Sequence, residues 1–200
     1  STAQRANLYG VLAQVYRAEP PVAFLRELEK PGFSRALSGA GVGDLGLSAG
    51  LDNGLIDELG IEYTRLFIGP GPHVSPYAAV HLGGEGASLW GPMTVWVRRF
   101  MVGAGFEFRT EGNIPLDHLS TELEFMRRLA ATAAEELRAG DGPAAARLNA
   151  LQAEFVGDHL SHWVPVFCTQ VIAAASLPFY RVMAGLTADF IRSEREAALD

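Results

Sequence analysis

The sequence predicts an all-α fold, a single globular multi-helix bundle of about eight to ten helices forming one domain over residues 1–200. Every periodic apolar segment has helical spacing, and no alternating strand pattern extends beyond a few residues. Clusters of glycine and proline divide the chain into short segments. At 200 residues and 21.5 kDa the chain is long enough for one sizeable core. Sub-bundles over 1–102 and 116–200 are possible within this domain, joined by a connection over 103–115 that we expect to be extended.

The first helix is predicted from apolar residues at helical spacing between Leu8 and Tyr16. Pro20 and Pro21 end this helix and open a second one, which Pro31 and Gly32 break. The glycine-rich stretch over 39–50 is predicted to be a loop, because each glycine in a helix interior costs about 1 kcal/mol.

Asp52 is the predicted N-cap of the next helix, which Gly69 and Pro70 end. The proline loop that follows, residues 69–76, holds too many prolines and glycines for a regular element. A short apolar piece over 77–82 precedes a second glycine-rich break, and a helix is predicted from Pro92 to Val102.

The strongest helical pattern of the chain starts near Asp117 and ends at Gly140. Asp117 is its predicted N-cap, acting through the carboxylate. Two further helices are predicted around 148–155 and 163–171, and the last runs over 179–190 with Pro178 in its first turn.

Composition excludes several classes of protein. With 48% hydrophobic and 20% charged residues the chain is not disordered, and it lacks the run of about 18 apolar residues that a membrane span needs. Sixteen basic against 23 acidic residues give a net charge of -7, which argues against nucleic acid and favours a cationic partner. Because the N-terminus lacks a signal pattern and Cys168 is the single cysteine, we expect a cytoplasmic protein.

Motifs of catalysis and cofactor binding are scarce. The sequence has no phosphate-binding GxxxxGK[ST] loop, no GxSxG elbow, no HExxH and no CxxC, so we predict no catalytic residues and no cofactor. Cys168 lies in an apolar helical segment, where a structural thiol is expected.

A metal-assisted hydrolase remains an alternative, with Asp117, His118 and Glu122 as an acid/base or metal cluster. Asp158, His159 and His162 are grouped further along the chain, and a mixed site could be drawn from both groups. Repeated Glu-x-x-His motifs, which di-metal bundles use, are absent, so we expect no metal. In the structural interpretation, Asp117 caps the helix and His118 hydrogen-bonds a neighbouring loop.

The proline loop is the most informative feature for binding. Tyr63, Leu66 and Phe67 lead into it and Tyr77 follows it, so a rigid concave surface lined with aromatic side chains is plausible. The alternatives are a loop packed on its own core, a generic helical interaction module, or a subunit held permanently in an oligomer.

Six short segments, in this order and at these distances, resemble the TorD/DmsD/NarJ family of redox-enzyme maturation chaperones. The resemblance covers nearly the whole chain. The segments are 8–13 (LYGVLA), 63–70 (YTRLFIGP), 75–77 (SPY), 115–118 (PLDH), 159–163 (HLSHW) and 178–181 (PFYR).

This resemblance implies a cytoplasmic chaperone, monomeric or dimeric, that is not an enzyme and carries no cofactor. Its expected partners are the apo catalytic subunit of a molybdoenzyme and the twin-arginine leader of that subunit. A leader presents paired arginines beside an apolar stretch, and a chain with a net charge of -7 and an aromatic-rich loop offers carboxylates beside an apolar groove. His81 stands where relatives often have an aromatic residue. The residues matched to peptide binding are Tyr63, Leu66, Tyr77, Pro115, Asp117 and His118.

Overall fold

The computed structural model describes residues 2–32, 43–47, 50–83, 91–106 and 115–199. Regular structure within these ranges is helical, apart from one isolated antiparallel bridge between Tyr77 and His118. The predicted all-α class is therefore confirmed. The helices are α1 (Thr2–Arg17), α2 (Val22–Glu29), α3 (Asn53–Phe67), α4 (Ala78–Leu82), α5 (Pro92–Gly103), α6 (Leu119–Ala139), α7 (Gly142–Phe155), α8 (Ser161–Ala174) and α9 (Pro178–Ala197), with a π-helical turn over Val156–Leu160.

Most helices begin and end at the residues expected from the sequence. The Asp52 carboxylate accepts a hydrogen bond from the Leu55 amide at 2.8 Å, which caps α3 as expected. Pro92 and Pro178 occupy the first turns of α5 and α9. Gly140 ends α6 with a φ of 85°, a left-handed conformation that glycine adopts without strain.

Three regions differ from the prediction or lie outside it. Helices α7 and α8 are joined directly by the π-helical turn, where apolar spacing had predicted two separate helices. Helix α5 reaches Gly103, so the expected extended connection is at most partial, and its residues 107–114 lie outside the described part of the chain. Much of the predicted loop over 39–50 also lies outside it.

The core forms where α1 packs along α6 and α9 packs against α8. Aromatic rings connect the layers, with Tyr16 of α1 edge-on to Phe167 of α8 at 5.4 Å between ring centroids. Arg5 donates from Nε to Glu194 at 2.8 Å, and Tyr9 donates to the same carboxylate at 2.9 Å, which ties α1 to α9. No helix in the described residues has the length and apolar character needed to cross a lipid bilayer.

Candidate functional site

A cleft of about 850 Å³ opens between α1, the end of α3, the end of the proline loop and the first turns of α6. Residues of α1 and α6, two helices that pack along each other, line the cleft together with aromatic side chains of α3 and the loop. The cleft is lined by Gly10, Ala13, Gln14, Arg17, Ala18, Glu19, Pro21, Tyr63, Phe67, Ile68, Pro76, Tyr77, His118, Ser120, Thr121, Glu124, Arg127 and Arg128.

Tyr63, Tyr77 and His118, three of the six residues matched to peptide binding, line this cleft. The Tyr63 hydroxyl donates to the Tyr16 carbonyl at 3.0 Å, which fixes its ring against α1. Tyr77 is half-buried and stands edge-on to the His118 ring at 4.9 Å. The structure therefore brings together an aromatic pair from two segments that are far apart in the sequence.

Leu66, Pro115 and Asp117 lie behind the cleft and are buried. The Leu66 carbonyl accepts from the Val74 amide at 2.7 Å, which closes the proline loop onto α3. The Pro115 carbonyl accepts from the His118 amide at 3.3 Å. These contacts position the cleft wall, so an influence of these residues on binding would act through the loop and the start of α6.

The prediction that Asp117 caps the long helix is wrong. Its carboxylate accepts from the Ala79 amide at 3.0 Å and from the Thr94 hydroxyl at 2.9 Å. Asp117 therefore caps the first turn of α4, a helix distant in sequence, and joins it to α5. The physical reason is that α6 begins two residues later, at Leu119, while the Asp117 side chain meets the donors of α4 and α5.

His118 is the N-cap of α6. Its Nδ1 accepts from the Ser120 amide at 3.2 Å and lies 2.8 Å from the Ser120 hydroxyl. Burial lowers the pKa of His118 to about 4, so the ring is neutral at pH 7. The expected hydrogen bond from this imidazole to a neighbouring loop is replaced by ring contact with Tyr77 and by backbone pairing, in which the Leu119 amide donates to Pro76 at 2.8 Å.

Behind the α6 wall, Glu122 and His159 form a buried pair that spacing along one helix could not reveal. Oε1 of Glu122 lies 2.6 Å from Nε2 of His159, and both side chains are excluded from solvent. Burial raises the pKa of Glu122 to about 7, although the neighbouring imidazole opposes the rise. His159 belongs to the π-helical turn, and its ring lies 5.1 Å from that of Trp96. The sequence signals for this contact were the HLSHW segment and the grouping of His159 with Asp158 and His162, from which a mixed site with Glu122 could be drawn.

Asp117, His118 and Glu122 do not form the common cluster that a hydrolase would need. They bond respectively to α4 and α5, to Ser120 and to His159. Across the described ranges, no group of three or more His, Cys, Asp and Glu side chains is arranged to hold a metal ion. Cys168 is buried as expected, and burial raises the pKa of its thiol to about 12.

The cleft does not have the excess of carboxylates that the sequence predicted. Its lining holds Arg17, Arg127 and Arg128 against Glu19 and Glu124. Glu124 accepts from Arg127 Nε at 2.7 Å and from Arg128 Nε at 3.1 Å, so its carboxylate is already occupied. The net charge of -7 is thus carried mainly elsewhere on the chain. Among the described residues, no arginine forms an ion pair with Glu19, the other carboxylate of the cleft, which accepts a hydrogen bond from Thr64.

Comparisons with known proteins agree on one family. A family model described as nitrate reductase delta subunit matches residues 36–169. The chain is 31% identical over 137 residues to the chaperone protein TorD of Photobacterium profundum, covering 66% of this chain and 60% of that protein. It is 26% identical over 146 residues to TorD of Shewanella piezotolerans, covering 70% and 61%. The matches thus span about 60% of the length of these relatives.

The fold also resembles a solved structure from Archaeoglobus fulgidus, a proposed redox enzyme maturation protein. The TM-score is 0.54 at 21% sequence identity, and the match covers 98% of this chain and 94% of the other. At this identity the likeness concerns the fold alone.

Proposed function

The chain belongs to the nitrate reductase delta subunit family, whose matched relatives are chaperones and not enzymes, and from this premise we propose its function. We propose a cytoplasmic, system-specific chaperone that binds the twin-arginine leader or N-terminal segment of a molybdenum-cofactor oxidoreductase subunit. Binding would hold the apo subunit back until the cofactor is inserted, and so assist its maturation before export or assembly.

The observation that carries this proposal is that Tyr63, Tyr77 and His118 line one open cleft of about 850 Å³. A volume of this size suits several side chains of a peptide. Phe67 and Ile68 extend the apolar end of the cleft, and Ile68 is 64% exposed. An exposed isoleucine beside aromatic rings is a ready contact for the apolar stretch of a leader.

Charge supports a particular placement for the leader arginines. Glu19 is exposed, accepts one hydrogen bond from the Thr64 hydroxyl at 3.1 Å, and lies at the α3 end of the cleft. A leader guanidinium beside Glu19 would place the apolar stretch against Tyr63 and Tyr77. Burial of about 500 Å² of apolar surface gives about 12 kcal/mol. Association costs of about 4 kcal/mol leave about 8 kcal/mol, which corresponds to reversible binding near the micromolar scale.

The test is a titration of a fluorescent twin-arginine leader peptide against a matched pair of variants. Ile68→Ser removes a 64% exposed isoleucine from the cleft, and Ile61→Ser removes a 70% exposed one from α3 outside the cleft lining. We expect Ile68→Ser to weaken binding about fivefold or more and Ile61→Ser to leave it unchanged. Equal binding by both variants and the parent would contradict the placement of the leader.

The dependence on salt separates the electrostatic part of the proposed interaction from its apolar part. Raising the ionic strength from 0.1 M to 1 M shortens the Debye length from about 10 Å to about 3 Å, so association should weaken several-fold without being abolished. Replacing the two leader arginines by glutamine should remove most of this dependence. Tyr77→Ala should lose affinity at both salt concentrations, because its contribution is apolar. A leader that binds no better than a scrambled peptide of equal charge would overturn the proposal.

A further inference from the structure

Independently of the leader site, we propose that the outward side of α5 is a second docking surface whose occupant is an acidic amphipathic helix of a partner protein. This surface, the α5 face, consists of Val95, Trp96, Arg98, Arg99 and Val102. None of these residues lines the cleft, so the two surfaces are distinct. In the proposed function, the protein that carries the acidic helix would be the client subunit.

The α5 face results from the spacing of its residues. Positions 95, 98, 99 and 102 follow one another at helical spacing, which places their side chains along one side of α5 over about 10 Å. Val95 and Val102, at the two ends, are 46% and 59% exposed. The opposite side of α5 is buried in the core and consists of Thr94, Val97 and Met101. Helix α5 therefore packs through one side and presents apolar and cationic side chains to solvent on the other.

The two arginines of the α5 face are available to carboxylates of another molecule. Arg98 and Arg99 are both exposed, and neither forms a hydrogen bond or an ion pair within the described ranges. Helix α5 has no acidic residue of its own, although the chain holds 23 acidic residues against 16 basic ones. Two adjacent guanidinium groups with free donors are a strong acceptor site for carboxylates.

Trp96 gives the α5 face a fixed aromatic edge. Its ring stacks on Phe155 with the centroids 6.0 Å apart and lies 5.1 Å from the ring of His159, while part of it stays exposed. At the start of α5, the Thr94 hydroxyl donates to the Asp117 carboxylate at 2.9 Å. Because these contacts hold the surface in place before a partner arrives, docking requires little ordering of α5.

The chemistry of the α5 face selects its occupant. The valines and the tryptophan favour apolar side chains, and the arginines favour carboxylates beside them. Helix α5 uses its own backbone hydrogen bonds, so the face offers side chains only. A helix suits such a surface, because it also satisfies its own backbone and packs its side chains between those of α5.

Other occupants match the α5 face less well. An anionic bilayer or a nucleic acid extends far beyond α5 and would meet the net charge of -7 on the chain. A second copy that placed the same face against itself would bring Arg98 and Arg99 onto their own counterparts. A short acidic helix avoids both kinds of repulsion.

The probe is a labelled helical peptide of about 14 residues, with leucines along one side and two glutamates, four residues apart, beside them. Two matched peptides carry Gln or Lys in place of both Glu residues. Fluorescence anisotropy measures the three affinities on the intact chain at about 0.15 M salt, where charges more than about 8 Å apart are largely screened.

We expect the Glu peptide to bind about three- to tenfold more tightly than the Gln peptide, and the Lys peptide to bind most weakly. The net charge of -7 by itself favours the reverse order, with the Lys peptide bound best. The predicted order therefore reports the local charge of the docking surface.

Substitutions of the arginines locate the contact. Arg98→Ser combined with Arg99→Ser should remove most of the preference for the Glu peptide over the Gln peptide. The control combines Arg26→Ser with Arg147→Ser, which makes the same charge change at exposed positions of α2 and α7 and should keep the preference.

Substitutions of the valines test the apolar part. Val102→Ser should weaken the Glu and Gln peptides about equally, because it removes apolar surface and no charge. Val166→Ser, at a 51% exposed position of α8, should leave both affinities unchanged. All these positions are exposed, so the variants should fold as the parent does.

Three results would overturn the inference. The first is equal binding of the Glu and Gln peptides, or no binding of either. The second is a preference for the Glu peptide that survives in the Arg98→Ser, Arg99→Ser variant. The third is sedimentation of the parent with phosphatidylglycerol vesicles that this variant loses, in the absence of peptide binding, which would assign the face to a lipid surface.

Leader binding separates this inference from the proposed function. The Arg98→Ser, Arg99→Ser variant should bind the leader peptide as tightly as the parent, because neither arginine lines the cleft. Weaker leader binding by this variant would contradict a separate docking surface. A leader that fails to bind the parent would overturn the proposed function, and the order of the three acidic, neutral and basic peptides would still decide the inference.

Discussion

Two glutamates two positions apart on α6 have opposite environments. Glu124 lines the cleft and accepts from two arginines, while Glu122 is fully buried behind the same wall against one imidazole. Partial burial alone would raise the pKa of Glu124, but the hydrogen bonds from Arg127 and Arg128 outweigh it and the pKa lies below its usual range. Burial dominates at Glu122 and raises its pKa to about 7. One helix thus presents a partly exposed charged side to the cleft and a buried polar contact to the core.

The largest expected effect of a substitution lies on the buried face. His159→Ala leaves the Glu122 carboxylate buried without its partner and opens a cavity beside Trp96, so the free energy of unfolding should fall by about 3 kcal/mol or more. Urea unfolding at neutral pH measures it. The control is Glu124→Gln, which should cost about 1 kcal/mol, because its ion pairs with Arg127 and Arg128 are partly exposed and screened by solvent. A similar loss of unfolding free energy in the two variants would contradict the difference between the buried side of α6 and its cleft side.

The next effect concerns the link behind the proline loop. Asp117→Ala removes the side-chain acceptor of the Ala79 amide and one hydrogen bond of the Thr94 hydroxyl, which should cost about 2 kcal/mol. Asp117→Asn keeps an acceptor oxygen and should lose less. The melting temperatures of both variants measure these losses of stability, and titration of each variant with the leader peptide measures the effect on binding. An unchanged melting temperature in Asp117→Ala would show that the carboxylate does not hold α4 and α5 together.

A smaller net effect is a pH dependence, because the contributions of two residues have opposite signs over nearly the same pH range and largely cancel. The pKa of His118 falls from 6.5 to about 4 on folding, so its contribution to stability is present above pH 6.5 and is lost as the pH falls toward 4. The pKa of Glu122 rises from 4.5 to about 7, so its contribution is present below pH 4.5 and is lost as the pH rises toward 7.

Non-titrating substitutions separate these contributions. His118→Asn keeps a capping acceptor for the Ser120 amide and should leave the Glu122 contribution alone, so that stability increases as the pH falls. Glu122→Gln should leave the His118 contribution alone, so that stability decreases as the pH falls. Denaturant unfolding across pH 4 to 7, the range between the shifted values, gives both slopes. If the free energy of unfolding of a variant depends on pH as that of the parent does, the substituted residue is not a source of the pH dependence.

Apolar periodicity, together with capping and helix-breaking residues, predicted the helices well because these are local properties of the sequence. Asp52 caps α3 and Pro178 opens α9 as their positions indicated. The π-helical turn over Val156–Leu160 escaped prediction, since it contains the poor helix formers Gly157 and Asp158 and the apolar spacing favoured a break between two helices there.

The site was predicted less completely, because side-chain partners distant in the sequence are not visible in a motif. The PLDH segment suggested a cap, but only the fold shows the Asp117 carboxylate reaching Ala79 and Thr94. The net charge of -7 suggested an acidic groove, whereas the cleft holds three arginines against two glutamates. The ring of His81 stacks on Trp163 at 5.5 Å between centroids, and its Nε2 lies 2.8 Å from the Ser75 carbonyl, a contact that the sequence did not indicate.

Photo-cross-linking tests most directly whether a leader occupies this cleft. A twin-arginine peptide with benzoylphenylalanine in its apolar stretch is irradiated with the chain, and mass spectrometry locates the attachment sites. We predict attachment at the apolar end of the cleft, around Ala18, Ile68 and Tyr77. Attachment confined to exposed apolar residues outside the cleft, such as Val102 or Val166, would contradict the account.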